Sequence, residues 1–215
     1  MKKVMTAAAV LGVAGAASAT TIETQTLNFG FPLSPGNETL TFNQFDDLGG
    51  SRTLTRVELI LDATVTGDAT AENDSSLPAP NFTLDLTGLI DATFSTLSAT
   101  AGINNQFAQA LDASDNGGVA NGSGPDFHDF GNVGGSDADD DNEFSSFASY
   151  IGTGTIDADV NGSAGFSFSG TTDATLGIDN LGATGTVTIN YYWVPAPGAA
   201  ALLGLGGLAA ARRRR

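Results

Sequence analysis

The chain has 215 residues, a formal net charge of −16 and no cysteine. This length is enough for one hydrophobic core, and the lack of cysteine excludes disulfide bonds. All 24 acidic residues lie between Thr20 and Pro197, where the only basic residues are Arg52 and Arg56, so two positive charges against 24 negative ones give this region −22. A surface of this sign repels DNA, RNA and anionic lipid, and we expect no nucleic-acid partner.

Residues 1–19 have the pattern of a secretory signal peptide. Two lysines precede the apolar stretch 4–16, and Ala17 and Ala19 form the small-x-small site that signal peptidase requires. We expect cleavage before Thr20 and export of the remainder. The alternative is a short buried N-terminal helix.

Strict alternation of apolar and polar residues predicts β-strands in the body of the chain. The clearest run has five apolar residues on one face, namely Val57, Leu59, Leu61, Ala63 and Val65. The same period occurs in 82–87, 156–160, 164–168 and 186–193. Such short strands predict an antiparallel β-sandwich or jelly-roll-like domain over residues 20–193.

Glycine-containing pairs predict where these strands end. Gly67-Asp68 is expected to end the first run, and Asn161-Gly162 suits a type I′ hairpin between Val160 and Ala164. The sequence therefore predicts a chain reversal at residue 162.

The middle of the chain lacks this alternation. Residues 103–113 are compatible with a short helix whose apolar face holds Ile103, Phe107, Ala110 and Leu111. Residues 115–143 are rich in Gly, Asp and Asn and predict one long acidic loop. Four aromatic residues are expected to attach its ends to the sandwich: Phe127, Phe130, Phe144 and Phe147.

Residues 194–215 form a separate C-terminal segment. Pro195, Ala196 and Pro197 precede the apolar run 199–211, which as a helix would span about 20 Å, less than the roughly 30 Å hydrocarbon core of a bilayer. Arginine stems can snorkel, and a basic cluster after an apolar segment stays on the cytoplasmic side. The expected membrane and stop-transfer residues are Leu202, Leu203, Leu205, Leu208, Arg212, Arg213, Arg214 and Arg215. The prolines predict an extended, accessible hinge outside the inner membrane.

This tail resembles the PEP-CTERM sorting signal of bacteria. The resemblance implies that an exosortase-type membrane transpeptidase is a partner and cuts near Pro195-Ala196-Pro197. Ala196 departs from the family, which usually has Glu at this position. The alternative is an anchor that remains uncleaved.

The body resembles the choice-of-anchor E domain family over roughly residues 26–193. The similar segments are Phe42-Asn43-Gln44-Phe45-Asp46, the stretch 53–59, the stretch 150–156 and the terminal Thr/Val strand. The resemblance implies a β-rich surface module joined to one of several C-terminal anchors. It implies no activity and no catalytic residues.

One acidic run is a candidate calcium site. Asp137, Asp139, Asp141 and Glu143 place carboxylates at alternate positions, as in the first half of an EF-hand loop, and Ca²⁺ prefers oxygen ligands. The match then fails, because Asn142 stands where an EF-hand has Gly and no bidentate Glu follows. A solvated acidic loop is the alternative.

The other acidic residues are weaker candidates for a metal site. Asp115, Asp126 and Asp129 could join a metal site only if the loop folds back on itself. His128 is the sole histidine, which excludes a zinc site built from several histidines. No catalytic residue set stands out, and no cofactor other than calcium is implied.

Aromatic residues at the end of the last predicted strand are candidate sugar contacts. Tyr192 is the candidate ligand residue, because a ring on a sandwich surface can stack on a sugar. Alternation along the strand is expected to bury Tyr191 and Trp193. Two functions remain open: a surface or matrix protein of structural or adhesive kind, in contact with exopolysaccharide, or a secreted carbohydrate-binding module or glycan hydrolase, with or without calcium.

Overall fold

The structure, a computed structural model, describes residues 19–196. Over this range the chain forms eight β-strands and no helix. The strands are β1 (Thr21–Pro32), β2 (Gly36–Asn43), β3 (Arg52–Asn73), β4 (Ala79–Phe94), β5 (Leu97–Leu111), β6 (Phe127–Glu143), β7 (Thr155–Ser169) and β8 (Ala174–Pro195). The expected signal-peptide helix and the apolar sorting helix fall outside the described residues.

The strands form two antiparallel sheets. The first has the order β1-β8-β3-β6 and the second has the order β2-β7-β4-β5. Buried apolar side chains from both sheets form one large cluster, which includes Phe42, Leu59, Phe94 and Ile189. A smaller cluster around Phe82 continues the core. The all-β prediction is therefore confirmed, with two sheets arranged as in a β-sandwich.

The predicted faces of the strands are confirmed. All five residues from Val57 to Val65 that were assigned to one face are buried on β3, and Phe82, Leu84 and Leu86 are fully buried on β4. Tyr191 is fully buried on β8, while Trp193 is partly buried against the core. Period-two alternation is a local property of the chain, so the faces of a strand can be predicted without knowing the sheet order.

Both predicted strand ends are wrong. β3 continues past Gly67-Asp68, where the register with β8 shifts between Thr66 and Asp68. β7 likewise runs straight through Asn161-Gly162. Gly162 pairs with Ile90 of β4, and a β-carbon there would lie 2.7 Å from the Ile90 side chain. Glycine is present at 162 because the core leaves no room for a side chain, not because the chain turns.

The helix predicted over 103–113 is wrong as well. Those residues belong largely to β5, which pairs with β4 from Leu97 to Leu111. Ile103 and Leu111 are buried and Phe107 packs against the core. Apolar residues four positions apart fit one face of a strand as well as one face of a helix, which is why the pattern misled.

The acidic loop predicted over 115–143 is only partly present. Residues 112–126 are loop, but Phe127–Glu143 form strand β6, paired with β3 along its length. Of the expected aromatic attachments, Phe130 and Phe147 pack against the core, whereas Phe144 is exposed.

The described chain enters and leaves at one end of the sandwich. Thr21 on β1 pairs with Trp193 on β8, and Pro195 pairs with Arg52. We call this the proximal end. The opposite end carries the loops 74–78, 112–126 and 170–173, here called the distal loops. β3 has 22 residues between the two ends, which at about 3.3 Å per residue gives a length of about 70 Å along the strand.

Candidate functional site

Asn73, the last residue of β3, connects the three distal loops. It is fully buried, and its side-chain amide donates to the backbone oxygens of Leu77 and Asp112 at 2.9 and 2.7 Å. Its side-chain oxygen accepts from the Thr171 hydroxyl at 2.7 Å and from the Ser75 N–H. One buried amide thus has contacts in all three loops.

Glu72 holds the longest of these loops. Its side chain is buried, and its two carboxylate oxygens accept the backbone N–H groups of Asn121 and Gly122, each at 2.7 Å. A buried carboxylate is tolerated when charge-assisted hydrogen bonds satisfy it. The end of β3, beyond the strand end predicted at Gly67, therefore holds the distal loops in place.

Asp126 closes the same loop. It is fully buried, its backbone oxygen accepts the Asn73 N–H, and its Oδ2 accepts the Asp115 N–H at 2.9 Å. Asp115 itself is exposed, and its Oδ1 accepts from the Asn121 side chain at 3.0 Å. The loop does fold back, and it brings Asp115 and Asp126 together, while Asp129 lies on β6 and accepts the Gly131 N–H.

A polar hollow of about 410 Å³ lies between the distal loops. Hydroxyl and carboxylate side chains dominate its lining, which includes Asp74, Ser76, Ser114 and Asp173. Groups of this kind form hydrogen bonds with hydroxylated or cationic ligands.

The four residues of the predicted calcium site lie in a row on β6 and face the other sheet. The carboxylates of Asp137, Asp139 and Asp141 accept the backbone N–H groups of Gly102, Thr100 and Ser98 on β5, at 2.8, 2.8 and 3.0 Å. Successive acids two residues apart on β6 accept from successive N–H groups two residues apart on β5, in antiparallel order. We call this row the acidic seam.

Each carboxylate of the acidic seam accepts hydrogen bonds from different donors. Each of them has its own hydrogen-bond donor, so the structure does not bring the four together around a single point. Between residues 19 and 196, no group of three or more His, Cys, Asp or Glu is arranged to hold a metal ion.

Glu143 ends the acidic seam at the proximal end. The backbone N–H groups of Ser146 and Ser145 donate to its Oε1 at 3.1 and 2.9 Å. These hydrogen bonds lower the pKa of Glu143 to about 2, although desolvation opposes them. The side chain therefore remains ionised well into the acidic range.

A matching seam closes the other side of the sandwich. The Gln25 side chain of β1 exchanges two hydrogen bonds with the backbone of Asn43 on β2, both at 2.9 Å. Glu38 accepts the Gly30 N–H at 2.8 Å. Side chains thus replace backbone pairing at both places where the edges of the two sheets meet.

Tyr192, the predicted sugar contact, already interacts with two charged side chains. The Arg56 guanidinium lies 3.6 Å from the centre of its ring, and its hydroxyl donates to Glu58 at 2.7 Å. Burial and then the Glu58 hydrogen bond raise the pKa of Tyr192. Burial alone would raise the pKa of Glu58, but hydrogen bonds from Tyr192 and Asn190, with the charge of Arg56, lower it overall. One face of this ring is therefore covered.

Pro195, the first of the predicted C-terminal processing residues, is still part of the sheet. Arg52 lies over the rings of Phe45 and Trp193, at 4.6 and 5.0 Å, and forms an ion pair with Glu23 at 3.2 Å. Beside it, Pro195 ends β8, and the Ala196 N–H donates to the Ser51 oxygen at 2.9 Å. Pro195 and Ala196 are thus held beside Arg52 and Ser51, where β3 begins.

The other predicted processing and membrane residues divide between described and undescribed parts of the chain. Ala19 and Thr20 are exposed just before β1. Ala17, Pro197 and the predicted membrane segment lie outside the described residues. Within 19–196 there is no helix long and apolar enough to cross a membrane.

Glu72, Asn73 and Asp126 are the residues that sequence reasoning did not single out in these roles. The sequence carries part of the signal, since Asn73 places an amide on the face of β3 that is otherwise apolar from Val57 to Ala71. What the sequence could not show is that three loops distant along the chain converge on them.

Comparison with known proteins adds little. None of the family models matches the chain, and no curated protein sequence matches it. Among solved structures, the infectious bursal disease virus Gt strain has 12% identity and a TM-score of 0.19, covering 84% of this chain and 38% of that one. The Gx strain of the same virus has 10% identity and a TM-score of 0.16, covering 85% and 42%. This chain spans less than half of each viral chain, and the description of the fold rests on its own strands and registers.

Proposed function

We propose that the protein is an exported structural or adhesive module of the cell surface or extracellular matrix, sorted through its C-terminal segment. The observation that carries the proposal is the relation between the two ends of the sandwich. The chain enters and leaves at the proximal end, and strands of up to 22 residues separate that end from the distal loops. An anchor attached after Ala196 would present the distal loops far from the membrane.

The charge of the body supports the same role. The region between Thr20 and Pro197 has 24 acidic residues against Arg52 and Arg56, and both arginines lie at the proximal end. Like charges keep such modules apart in solution and favour contact with cations or neutral polymers. The proposed partners are signal peptidase, an exosortase-type transpeptidase and exopolysaccharide.

The hydrogen bond of Ala196 to Ser51 limits where a processing enzyme can reach the tail. We propose that the transpeptidase cuts at or after Pro197, because cleavage before Ala196 requires the end of β8 to separate from β3. A variant that weakens this attachment, Arg52→Ala, is therefore expected to be cut at the same position and at the same rate as the native chain. Faster processing of Arg52→Ala, or a mature end before Ala196, would contradict this step.

The experiment that tests the function uses an epitope tag at Val119, which is 62% exposed in the distal loop 112–126. The tagged full chain, expressed in its own host, is expected to bind antibody on intact cells. A matched chain ending at Ala196 is expected in the culture medium instead. Tag found inside the cell for both chains would overturn the proposal.

A second candidate function, glycan binding, is favoured by the polar hollow between the distal loops rather than by Tyr192. The hydroxyl and carboxylate groups of Ser76, Asp74 and Asp173 suit sugar hydroxyls. A glycan array probed with the tagged chain tests this. Binding that disappears in Asp173→Ala supports it, and no binding to any member removes it.

A further inference from the structure

The distal loop 112–126 contains a carboxylate oxygen with no hydrogen-bond partner. Asp126 is fully buried and its Oδ2 accepts the Asp115 N–H, but no donor reaches its Oδ1. Buried charges in proteins are normally paired or bound to a metal, because an unpaired charge away from water is costly. The Oδ1 of Asp126 is therefore free to accept a hydrogen-bond donor or to bind a cation.

A second carboxylate oxygen faces the same space. A β-carbon placed on Gly124 would lie 2.4 Å from Asp115 Oδ2 and 2.8 Å from Asp126 Oδ1, so the two oxygens are at most 5.2 Å apart. Gly124 has a φ of +105°, a backbone conformation that side chains disfavour. The two oxygens converge over a residue that offers no side chain to fill the space between them.

We propose that Asp115 Oδ2 and Asp126 Oδ1 bind a hard divalent cation of the Ca²⁺ type. Calcium–oxygen bonds of about 2.3–2.6 Å allow one ion to bridge two oxygens up to about 5 Å apart. Two carboxylates supply the charge, and backbone, amide and water oxygens complete the coordination. No imidazole or thiolate of the described residues takes part, which disfavours Zn²⁺.

Access to this site is one-sided. Asp126 is fully buried beneath the loop, whereas Asp115 is exposed. A cation can therefore enter from solvent past Asp115 and bind against Asp126. The acidic seam differs in this respect, because each of its carboxylates already accepts a backbone N–H from β5.

A bound cation would join the two ends of the loop. Asp115 lies near its start and Asp126 is its last residue, directly before β6. Glu72 already holds the middle of the loop through Asn121 and Gly122. The cation would complete this attachment, so its binding should stabilise the whole distal end.

The test is calorimetric titration of the full chain, stripped with EDTA, with Ca²⁺ alone. We expect one ion per chain and a rise in melting temperature at millimolar Ca²⁺. Asp115→Asn and Asp126→Asn should each weaken binding at least tenfold. The control is Asp112→Asn, which removes the same charge from the same loop at an exposed residue, and it should stay within twofold of the native chain.

Asp126→Asn gives a second readout that does not depend on binding. Its amide can donate to Asp115 Oδ2, so in EDTA this variant should melt no lower than the native chain, while Ca²⁺ no longer shifts its midpoint. The proposal is overturned if the native chain gives neither heat nor a shift with Ca²⁺, which would mean that a proton or water separates the two carboxyls. It is equally overturned if the shift survives in both Asp115→Asn and Asp126→Asn.

Discussion

Asp139 on β6 accepts a hydrogen bond from the backbone N–H of Thr100 on β5, with 2.8 Å between Oδ2 and N. The two strands are the edges of different sheets, so this bond joins one sheet to the other. An edge strand with free N–H groups is open to pairing with another chain. The acidic seam occupies those groups and covers the edge with negative charge.

Replacing Asp139 by Ala should destabilise the protein and expose this edge. The expected loss is about 1 kcal/mol, because a hydrogen bond to a charged group contributes about 1.5–3 kcal/mol and exposure to solvent lowers that figure. Urea unfolding measures the loss, and faster amide exchange at Thr100 locates it. Asp140→Ala is the matched control, because Asp140 accepts only from the side chain of Asn142. Equal losses in the two variants would show that the seam bond has no special role.

The lowered pKa of Glu143 predicts that its contribution to stability depends on pH. Its pKa in the folded protein is about 2, below the ordinary value of 4.5, so its contribution to stability is complete above pH 4.5 and is lost as the pH falls through 2. Native protein and Glu143→Gln should therefore differ in unfolding free energy at pH 7 and converge near pH 2. Urea unfolding at both pH values measures the difference. A gap that is unchanged at pH 2 would contradict the assignment.

Asn73 should be among the most sensitive residues of the distal end. Asn73→Ala leaves the Leu77 and Asp112 oxygens without their donor and should cost about 2–4 kcal/mol. Limited proteolysis should then cut the loop 112–126 first. The exposed Asn116, whose side chain reaches only the Val119 oxygen, provides the control variant Asn116→Ala, expected to stay within about 0.5 kcal/mol of the native chain. Resistance of Asn73→Ala to both denaturant and protease would contradict this role.

Two glycines of β7 give a sharp test of the core. A β-carbon at Gly162 would meet the side chains of Ile90, Leu33 and Phe31 at 2.7, 2.9 and 3.0 Å, whereas one at Gly165 meets nothing within 4 Å. Gly162→Ala should cost about 1–3 kcal/mol through overpacking. Gly165→Ala should be neutral or slightly stabilising. Thermal melting compares them, and a neutral Gly162→Ala would contradict the packing of β7 against β1 and β4.

The faces of the strands could be predicted from the sequence, and their lengths could not. Alternation over Val57 to Val65 identifies a buried face with no knowledge of neighbours, since side chains of a strand alternate. Gly67 looks like an end because glycine weakens strands, yet β-bulges allow β3 to continue to Asn73. The decision depends on β6 and β8, which lie far away in sequence.

The distal and edge features depend still more on tertiary contacts. Residues 132–143 have a composition typical of loops, and they form a strand because β3 pairs with them and because β5 supplies donors for their carboxylates. The sequence did identify Asp115 and Asp126 as acids that could meet if their loop folded back. It could not show that Glu72 and Asn73 fold the loop in that way.

We propose that the protein is an exported module sorted through its tail. Mass spectrometry of the intact protein, recovered from its own host, tests it most directly. We expect a chain that begins at Thr20, ends at or just after Pro197 and is recovered from outside the cytoplasm. A cytoplasmic chain that retains both Met1 and Arg215 would contradict it.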